Sequence, residues 1–323
     1  MKKKFDKYHI QERIGDGSFA KVYKATDDAS HQFAIKQYST NFLLSLRLVD
    51  HQTMQFKDGM CMFENEKKVI NILTKDPKYI EHFPKYYQII EVPEYINLVM
   101  DMSKLGSLVS FDDETLTYTL STQVKSQLTT SYDVYYKRWI AQMIEAVDYL
   151  HKQNIAHIDI KLENFLLFGD DVDSSKVKLI DFNSAIVVED PEYLHGDKYG
   201  TILYGSPESY TDLLEGYNPF KADIWALGVC IYILHSLKLP FFDENLIKKN
   251  SDCEGVYYGN ENTNFEMKYS MLVQKQEVSF EGFDKDLEEL LQGMMDKDPN
   301  SRWDISKVKE SLYIKKIISD KVQ

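Results

Sequence analysis

The apolar residues of this chain fall into runs of different period, and the period changes at definite points. Residues 8–38 carry β-prone runs around one glycine-rich turn, Ile14 to Val22, which predicts strand, turn, strand, strand. Residues 39–63 form a long connection whose Leu43, Leu44, Leu46 and Leu48 predict a short extra helix. Phe63, Ile70 and Leu73 then share one face of a helix over 63–73. Tyr86–Val92 and Ile96–Met100 read as two strands joined at Pro93-Glu94, completing a five-stranded sheet.

Beyond Gly106 the pattern turns helical, with interruptions. Nine of the 17 residues from 115 to 131 are Ser or Thr. Without apolar periodicity, that density predicts that 109–131 is an inserted, exposed and mobile loop. From Tyr135, the residues Ile140, Met143, Ile144, Val147 and Leu150 fall at helix-face spacing. Val177–Ile180 reads as a short strand. A helix opening at Asp223 is apolar nearly all round, which predicts a buried central helix with Trp225 in the core. Residues 241–279 are polar and read as a second insertion, containing Cys253 and Tyr257-Tyr258-Gly259-Asn260. Leu287, Leu290, Leu291, Met294 and Met295 restore an amphipathic helix, and Tyr313 onward reads as a helical or frayed tail.

Composition narrows the class. With 43% hydrophobic and 28% charged residues in 323, the chain can bury a sizeable core and reads as a soluble globular protein of one large or two small domains. A net charge of −13 argues against bulk binding to nucleic acid and is compatible with basic peptides as partners. Cys61, Cys230 and Cys253 are odd in number and widely spaced, forming neither a disulfide framework nor a zinc pattern. That points to a reducing compartment, the cytoplasm or the nucleus. The apolar run Ile224 to Leu234 is too short to span a bilayer. The N-terminal lysines lead into no apolar signal core, so no secretory peptide is expected.

The densest chemistry lies between Ile155 and Leu167, I-A-H-I-D-I-K-L-E-N-F-L-L, where His157, Asp159, Lys161 and Asn164 sit between two apolar runs. Taken alone, it also fits a polar turn between buried strands. Upstream, Gly15 and Gly17 mark the turn in Ile14–Val22, and Phe33-Ala34-Ile35-Lys36 is an apolar strand ending on a lysine. Glycines in such a turn let backbone N–H groups close over phosphates. Downstream, Asp181-Phe182-Asn183 follows a strand, then come Gly200-Thr201-Ile202-Leu203-Tyr204-Gly205-Ser206-Pro207-Glu208 and Asp298-Pro299-Asn300-Ser301-Arg302.

In this order and spacing the motifs resemble the eukaryotic protein kinase family over about 8–312. The resemblance implies an α+β bilobal fold. A β-rich small lobe with one main helix (8–101) would sit on a mainly helical large lobe (102–312), followed by a tail from 313. It implies ATP and Mg²⁺ as cofactors and a protein as the other substrate. Asp159 would accept the hydroxyl proton of the acceptor, Lys161 would neutralise charge on the transferring group, and Asn164 and Asp181 would hold the metal. Lys36 would bind phosphates and pair with Glu66, or alternatively with Glu64. Ile14, Gly15, Gly17 and Val22 would cover the nucleotide from the glycine-rich loop. Ala34, Met100 and Leu166 would flank the adenine, with Asp101-Met102-Ser103 as the hinge. Glu208 would pair with Arg302.

Lys161 and Thr201 imply the serine/threonine branch, because the tyrosine branch places Arg or Ala where Lys161 stands. Two positions depart from the family. Ile158 replaces the Arg of H-R-D, and Asn183 replaces the Gly of D-F-G. Asn tolerates a left-handed backbone best after Gly, so Asn183 is expected to act as a restricted hinge. A non-catalytic pseudokinase that binds nucleotide or partners stays open beside the enzyme; a small-molecule kinase is disfavoured by the Gly200–Glu208 segment. Ile158 offers no charge and no donor to a phosphate on residues 181–208. Activity is therefore expected not to require modification there, where Tyr193, Tyr199 and Tyr204 are the candidate sites and Thr201 is reserved for the active site. The acidic run Glu189-Asp190-Pro191-Glu192 is expected to pair with nearby cations, and Glu163 hints at basic residues near the acceptor.

Overall fold

A computed structural model describes residues 4–50, 55–190, 193–196, 200–210, 216–242 and 263–320. The β-rich end is one antiparallel sheet. Its strands are β1 (Lys4–Phe5), β2 (Tyr8–Asp16), β3 (Ala20–Thr26) and β4 (Gln32–Ser39), and after an insertion β7 (Tyr86–Val92) and β8 (Tyr95–Asp101). They run in the order β1-β2-β3-β4-β8-β7. The sheet has six strands rather than the five expected, because Lys4 and Phe5 pair with His9 and Tyr8 at its edge. A two-residue edge strand has no periodicity for sequence to reveal.

The insertion after β4 is helix α1 (Thr40–Ser45) followed by a hairpin of β5 (Leu48–Asp50) and β6 (Gln55–Lys57). Ser39 caps α1 by accepting from Phe42 N–H. Helix α2 (Met60–Leu73) follows, starting three residues before the expected Phe63. It buries Met62, Phe63, Glu66, Val69, Ile70 and Leu73, so a glutamate lies on the apolar face.

The other end is mainly helical. Strand β9 (Gly106–Ser107) leads to a hairpin of β10 (Val109–Asp112) and β11 (Thr117–Leu120), then α3 (Thr122–Gln127). The expectation of an exposed, mobile loop here was wrong. Val109, Leu116, Tyr118 and Val124 are buried in the main core, and Ser121 caps α3 by accepting from Val124 N–H. Thr117 and Thr119 occupy the outward positions of the hairpin, where they carry no packing signal.

Helix α4 (Tyr132–Lys152) enters the loop that bears Asp159 through β12 (Ile155–Ala156). Strand β13 (Phe165–Phe168) pairs with both β14 (Lys176–Leu179) and β9, and β12 pairs with β15 (Ile186–Val187). Asp159 and Asp181 therefore sit at adjoining strand ends. Helix α5 (Pro219–Ser236) is buried along nearly its whole length, with Asn218 accepting from Phe220 and Lys221 N–H at its start. Helices α6 (Thr263–Lys275), α7 (Lys285–Met294), α8 (Ile305–Glu310) and α9 (Leu312–Asp320) complete the packing. Tyr313, Ile314 and Ile317 of α9 join the main core, so the tail is a docked helix and a boundary at 312 falls at its start. Cys253 and residues 257–260 lie outside the described residues. Among the described residues no helix is long and apolar enough to cross a membrane.

Candidate active site

Lys36 faces α2 from β4. Its Nζ donates to both carboxylate oxygens of Glu66, at 2.9 and 3.0 Å, and to Asp181 Oδ1 at 2.8 Å. Of the two glutamates considered, Glu66 is buried on the inner face of α2, while Glu64 is exposed and lies near Lys67. Burial works against the Lys36 charge, yet the carboxylates of Asp181 and Glu66 outweigh it and raise the pKa. Burial would likewise push the Asp181 carboxyl up, but the adjacent Lys36 ammonium holds it below the usual range. Phe182 N–H donates to Glu66 Oε1 at 3.3 Å.

Asn183 does not take the left-handed backbone expected of it; in this loop that conformation belongs to Asp181, at φ 69°. Asn183 is buried, and its Oδ1 accepts from Lys36 Nζ at 3.2 Å and contacts the Tyr38 hydroxyl. The same hydroxyl reaches Glu66 Oε2. Sequence reasoning considered only the backbone at 183 and missed both this side chain and Tyr38.

The loop after β12 gathers the second group. Thr201 Oγ1 donates to Asp159 Oδ1 at 2.9 Å and accepts from Lys161 Nζ at 2.8 Å, while Lys161 Nζ lies 2.7 Å from Asp159 Oδ2. Asn164 Nδ2 donates to the Asp159 carbonyl at 2.8 Å, and Ile180 N–H donates to the Asn164 carbonyl at 2.9 Å. That last bond ties the Asp159 loop to the strand end before Asp181.

Asp223, which sequence reasoning read only as the start of an apolar helix, anchors this loop. Its carboxylate accepts His157 and Ile158 N–H, each at 2.8 Å, and His151 Nε2 lies 3.0 Å away. Ile158 takes φ 70°, a costly backbone for a β-branched residue, and the Asp223 bond helps hold it there. A lone acidic residue in an otherwise apolar helix was the available signal.

The residues expected around the nucleotide converge on the sheet side. Val22 lies opposite Gly15 on one neighbour and Lys36 on the other. Ala34 lies opposite Met100, and Val22, Ala34, Met100 and Met102 share the main apolar cluster. Gly17 N–H closes the turn onto the Ala20 carbonyl at 2.9 Å, and Ile14 at its rim is exposed. Leu166 pairs with Ser107 across β9. The Asp101 N–H is already committed to the Lys85 carbonyl at 2.9 Å, and Ser103 Oγ closes the hinge by donating to the Leu167 carbonyl at 2.6 Å.

A family model described as "Protein kinase domain" matches residues 8–314. The chain belongs to the protein kinase domain family. It is 28% identical over 314 residues to CBL-interacting protein kinase 26 of Oryza sativa subsp. japonica, covering 96% of this chain and 52% of that protein. It is 29% identical over 249 residues to SNF1-like protein kinase ssp2 of Schizosaccharomyces pombe, covering 76% and 37%. With CBL-interacting serine/threonine-protein kinase 10 of Arabidopsis thaliana it shares 27% over 313 residues, covering 96% and 54%. The chain thus spans about half the length of the curated relatives it matches.

The protein kinase fold of this chain is closed at its far side by an ion pair. Arg302, fully buried, donates from Nη1 and Nη2 to Glu208 Oε1 and Oε2 at 2.6 and 2.9 Å. Tyr204 is buried too. Its hydroxyl donates to Glu163 Oε2 at 3.0 Å and lies 2.9 Å from that of Tyr118. Burial pushes the Glu163 carboxyl up. Tyr204 is therefore withdrawn from the modification sites considered, and Tyr199 lies outside the described residues.

The donors present fit a magnesium ion. Among the described residues no cluster of three or more His, Cys, Asp or Glu is gathered. Mg²⁺ with a polyphosphate needs only one or two protein oxygens. Asn164 has its side-chain nitrogen bound to Asp159, which leaves its side-chain Oδ1 as the hard donor; Lys36 occupies only one oxygen of Asp181.

Proposed function

We propose that this kinase domain transfers the terminal phosphoryl group of ATP to serine or threonine hydroxyls of proteins. The observation that carries it is the closed set Asp159–Thr201–Lys161, with separations of 2.7 to 2.9 Å, beside the Lys36–Glu66–Asp181 set. Asp159 takes the proton of the acceptor hydroxyl. Its carboxylate is aimed by Thr201 and Lys161, so little reorganisation is needed as the reaction proceeds. Lys161 already bridges Asp159 and Thr201 and neutralises charge on the group in transit. Lys36, oriented by Glu66, holds the nucleotide phosphates. Asp181 and Asn164 would hold Mg²⁺, which would supply neutralisation of phosphate charge when bound.

The pseudokinase alternative rested on Ile158 and Asn183. Neither removes a group from this inventory, since Asn183 accepts from Lys36. The test is incubation with Mg-ATP and a panel of protein substrates, beside the Asp159→Asn variant, with mass spectrometry of the products. Phosphoserine and phosphothreonine are expected, absent in the variant. Predominant phosphotyrosine would overturn the substrate class, and an inactive wild-type protein would restore the pseudokinase.

The same reading carries a regulatory expectation. Ile158 cannot receive a phosphate, and the segment has an unmodified tie instead: Lys68 Nζ on α2 donates to Glu189 Oε1 at 3.0 Å. Both partners are exposed, so the tie alone contributes little. Pro191 and Glu192 of the acidic run lie outside the described residues. Phosphatase-treated protein, shown by mass spectrometry to be unmodified, is expected to keep its initial rate. A tenfold fall, about 1.4 kcal/mol, that is regained on rephosphorylation within 181–208 would contradict it.

A further inference from the structure

We infer that Tyr38 and Asn183 form a clamp that positions Lys36 and pins the Asp181–Asn183 turn to the sheet. The inference rests on the phosphoryl-transfer reading for its consequence, though not for its geometry. Lys36 and Tyr38 are two apart on β4, so both side chains emerge on one face, toward α2. Tyr38 is fully buried against Phe63, with ring centroids 5.4 Å apart, in a small cluster with Ala20, Leu43 and Ile96. Its hydroxyl is thus fixed by packing before it makes any polar contact.

The clamp converges on one atom. Asn183 Oδ1 accepts from Lys36 Nζ and shares the single Tyr38 hydroxyl proton with Glu66 Oε2. The orientation of the amide follows from chemistry: an ammonium only donates, so the oxygen of Asn183 and not its NH₂ must face Lys36. The turn is then tied at three successive residues. Asp181 Oδ1 binds Lys36, Phe182 N–H binds Glu66, and Asn183 Oδ1 binds Lys36 and Tyr38.

The choice of asparagine has an electrostatic logic. Four acceptor atoms surround the three protons of Lys36: two from Glu66, one from Asp181 and one from Asn183. Glu66 and Asp181 already give the site an excess negative charge, and it has to receive a polyphosphate. A neutral carbonyl oxygen occupies a lysine proton without adding to that charge. It can also yield the proton to a phosphate more readily than a carboxylate can, because a charged hydrogen-bond partner holds roughly twice as strongly. Asn183 is on this account a positioning residue. Glycine would supply only backbone freedom, which residue 183 does not use.

The decisive experiment compares Tyr38→Phe, Asn183→Ala and the double variant with wild type. Hydrogen exchange of the amides of residues 181–186 is followed without nucleotide, together with kcat and the KM values for ATP and for peptide. Tyr38→Phe keeps the buried ring and Asn183→Ala introduces no backbone freedom, so circular dichroism should stay unchanged. Each single variant is expected to speed exchange about tenfold, a size within the usual range of coupling energies. Each should also lower kcat/KM for ATP by a similar factor while leaving the KM for peptide in place. The double variant should be no worse than the worse single one, because either change opens the same clamp. Exchange indistinguishable from wild type, or single effects that multiply in the double variant, would overturn the clamp. Exchange needs no turnover, so an inactive protein would fail the functional reading and still decide this one.

Discussion

Asp181→Asn is expected to lower the rate of phosphoryl transfer by about a hundred-fold or more, at least the usual cost of removing one preorganised group that stabilises transition-state charge, while the chain stays folded. On the proposed metal role of Asp181 the rate would fall because the neutral amide would be a poor ligand for Mg²⁺, which would supply neutralisation of charge on the phosphates. The fold survives because the variant does not strand a buried charge. Lys36 retains both oxygens of Glu66, and the Asn carbonyl can still accept from its Nζ in the place of Asp181 Oδ1. Locally the charge changes from one cation with two carboxylates to one cation with one. Initial rates with Mg-ATP and thermal unfolding of both proteins check it. Turnover within tenfold of wild type would remove Asp181 from the metal site, whereas a collapse of the unfolding midpoint would mean that its charge is structural.

The parts of this site that sequence reveals are those whose chemistry needs fixed offsets. Asp159, Lys161 and Asn164 lie on one short loop between β12 and β13, so two- and five-residue spacings survive directly as geometry. Glu66 was legible in principle from helix phase, since it stands three residues from Phe63 and Val69 and four from Ile70, all buried on one face. The hairpin of 109–120 shows how a compositional signal can mask a periodic one. Leu116, Tyr118 and Leu120 alternate with outward threonines at strand period, but the density of hydroxyls argued for a loop. Asn183 and Asp223 escaped for a different reason. Their partners are far away in sequence: Lys36 and Tyr38 for the first, the backbone of His157 and Ile158 for the second. Local propensity at 183 weighed only φ, and periodicity at 223 saw only an apolar helix. Neither method has access to a hydrogen bond made across the fold.

Arg302→Ala is expected to destabilise the chain by about 3–5 kcal/mol, the loss that follows breaking a buried ion pair from one side. The arginine is buried, and its fork-shaped guanidinium meets Glu208 with two parallel bonds at 2.6 and 2.9 Å. It also donates from Nε to the Asp296 carbonyl and from Nη1 to the Lys221 carbonyl, each at 2.9 Å. Its Cζ lies 5.0 Å from the centroid of the Trp225 ring in the central helix α5. Truncation therefore takes the cation from Glu208 and a donor from the Asp296 carbonyl, and leaves a void beside a tryptophan. Arg302→Lys should recover little, because a single ammonium cannot reproduce the bidentate contact with Glu208 while also reaching both carbonyls. Replacing both partners, as in Arg302→Met with Glu208→Leu, should cost less than Arg302→Ala alone, since no charge is then left unpaired. Urea unfolding of the four proteins reads this directly. A loss below about 1 kcal/mol in Arg302→Ala, the scale of an exposed pair, would mean that Glu208 finds water when the arginine is gone, and that the Gly200–Glu208 segment is held by its other contacts.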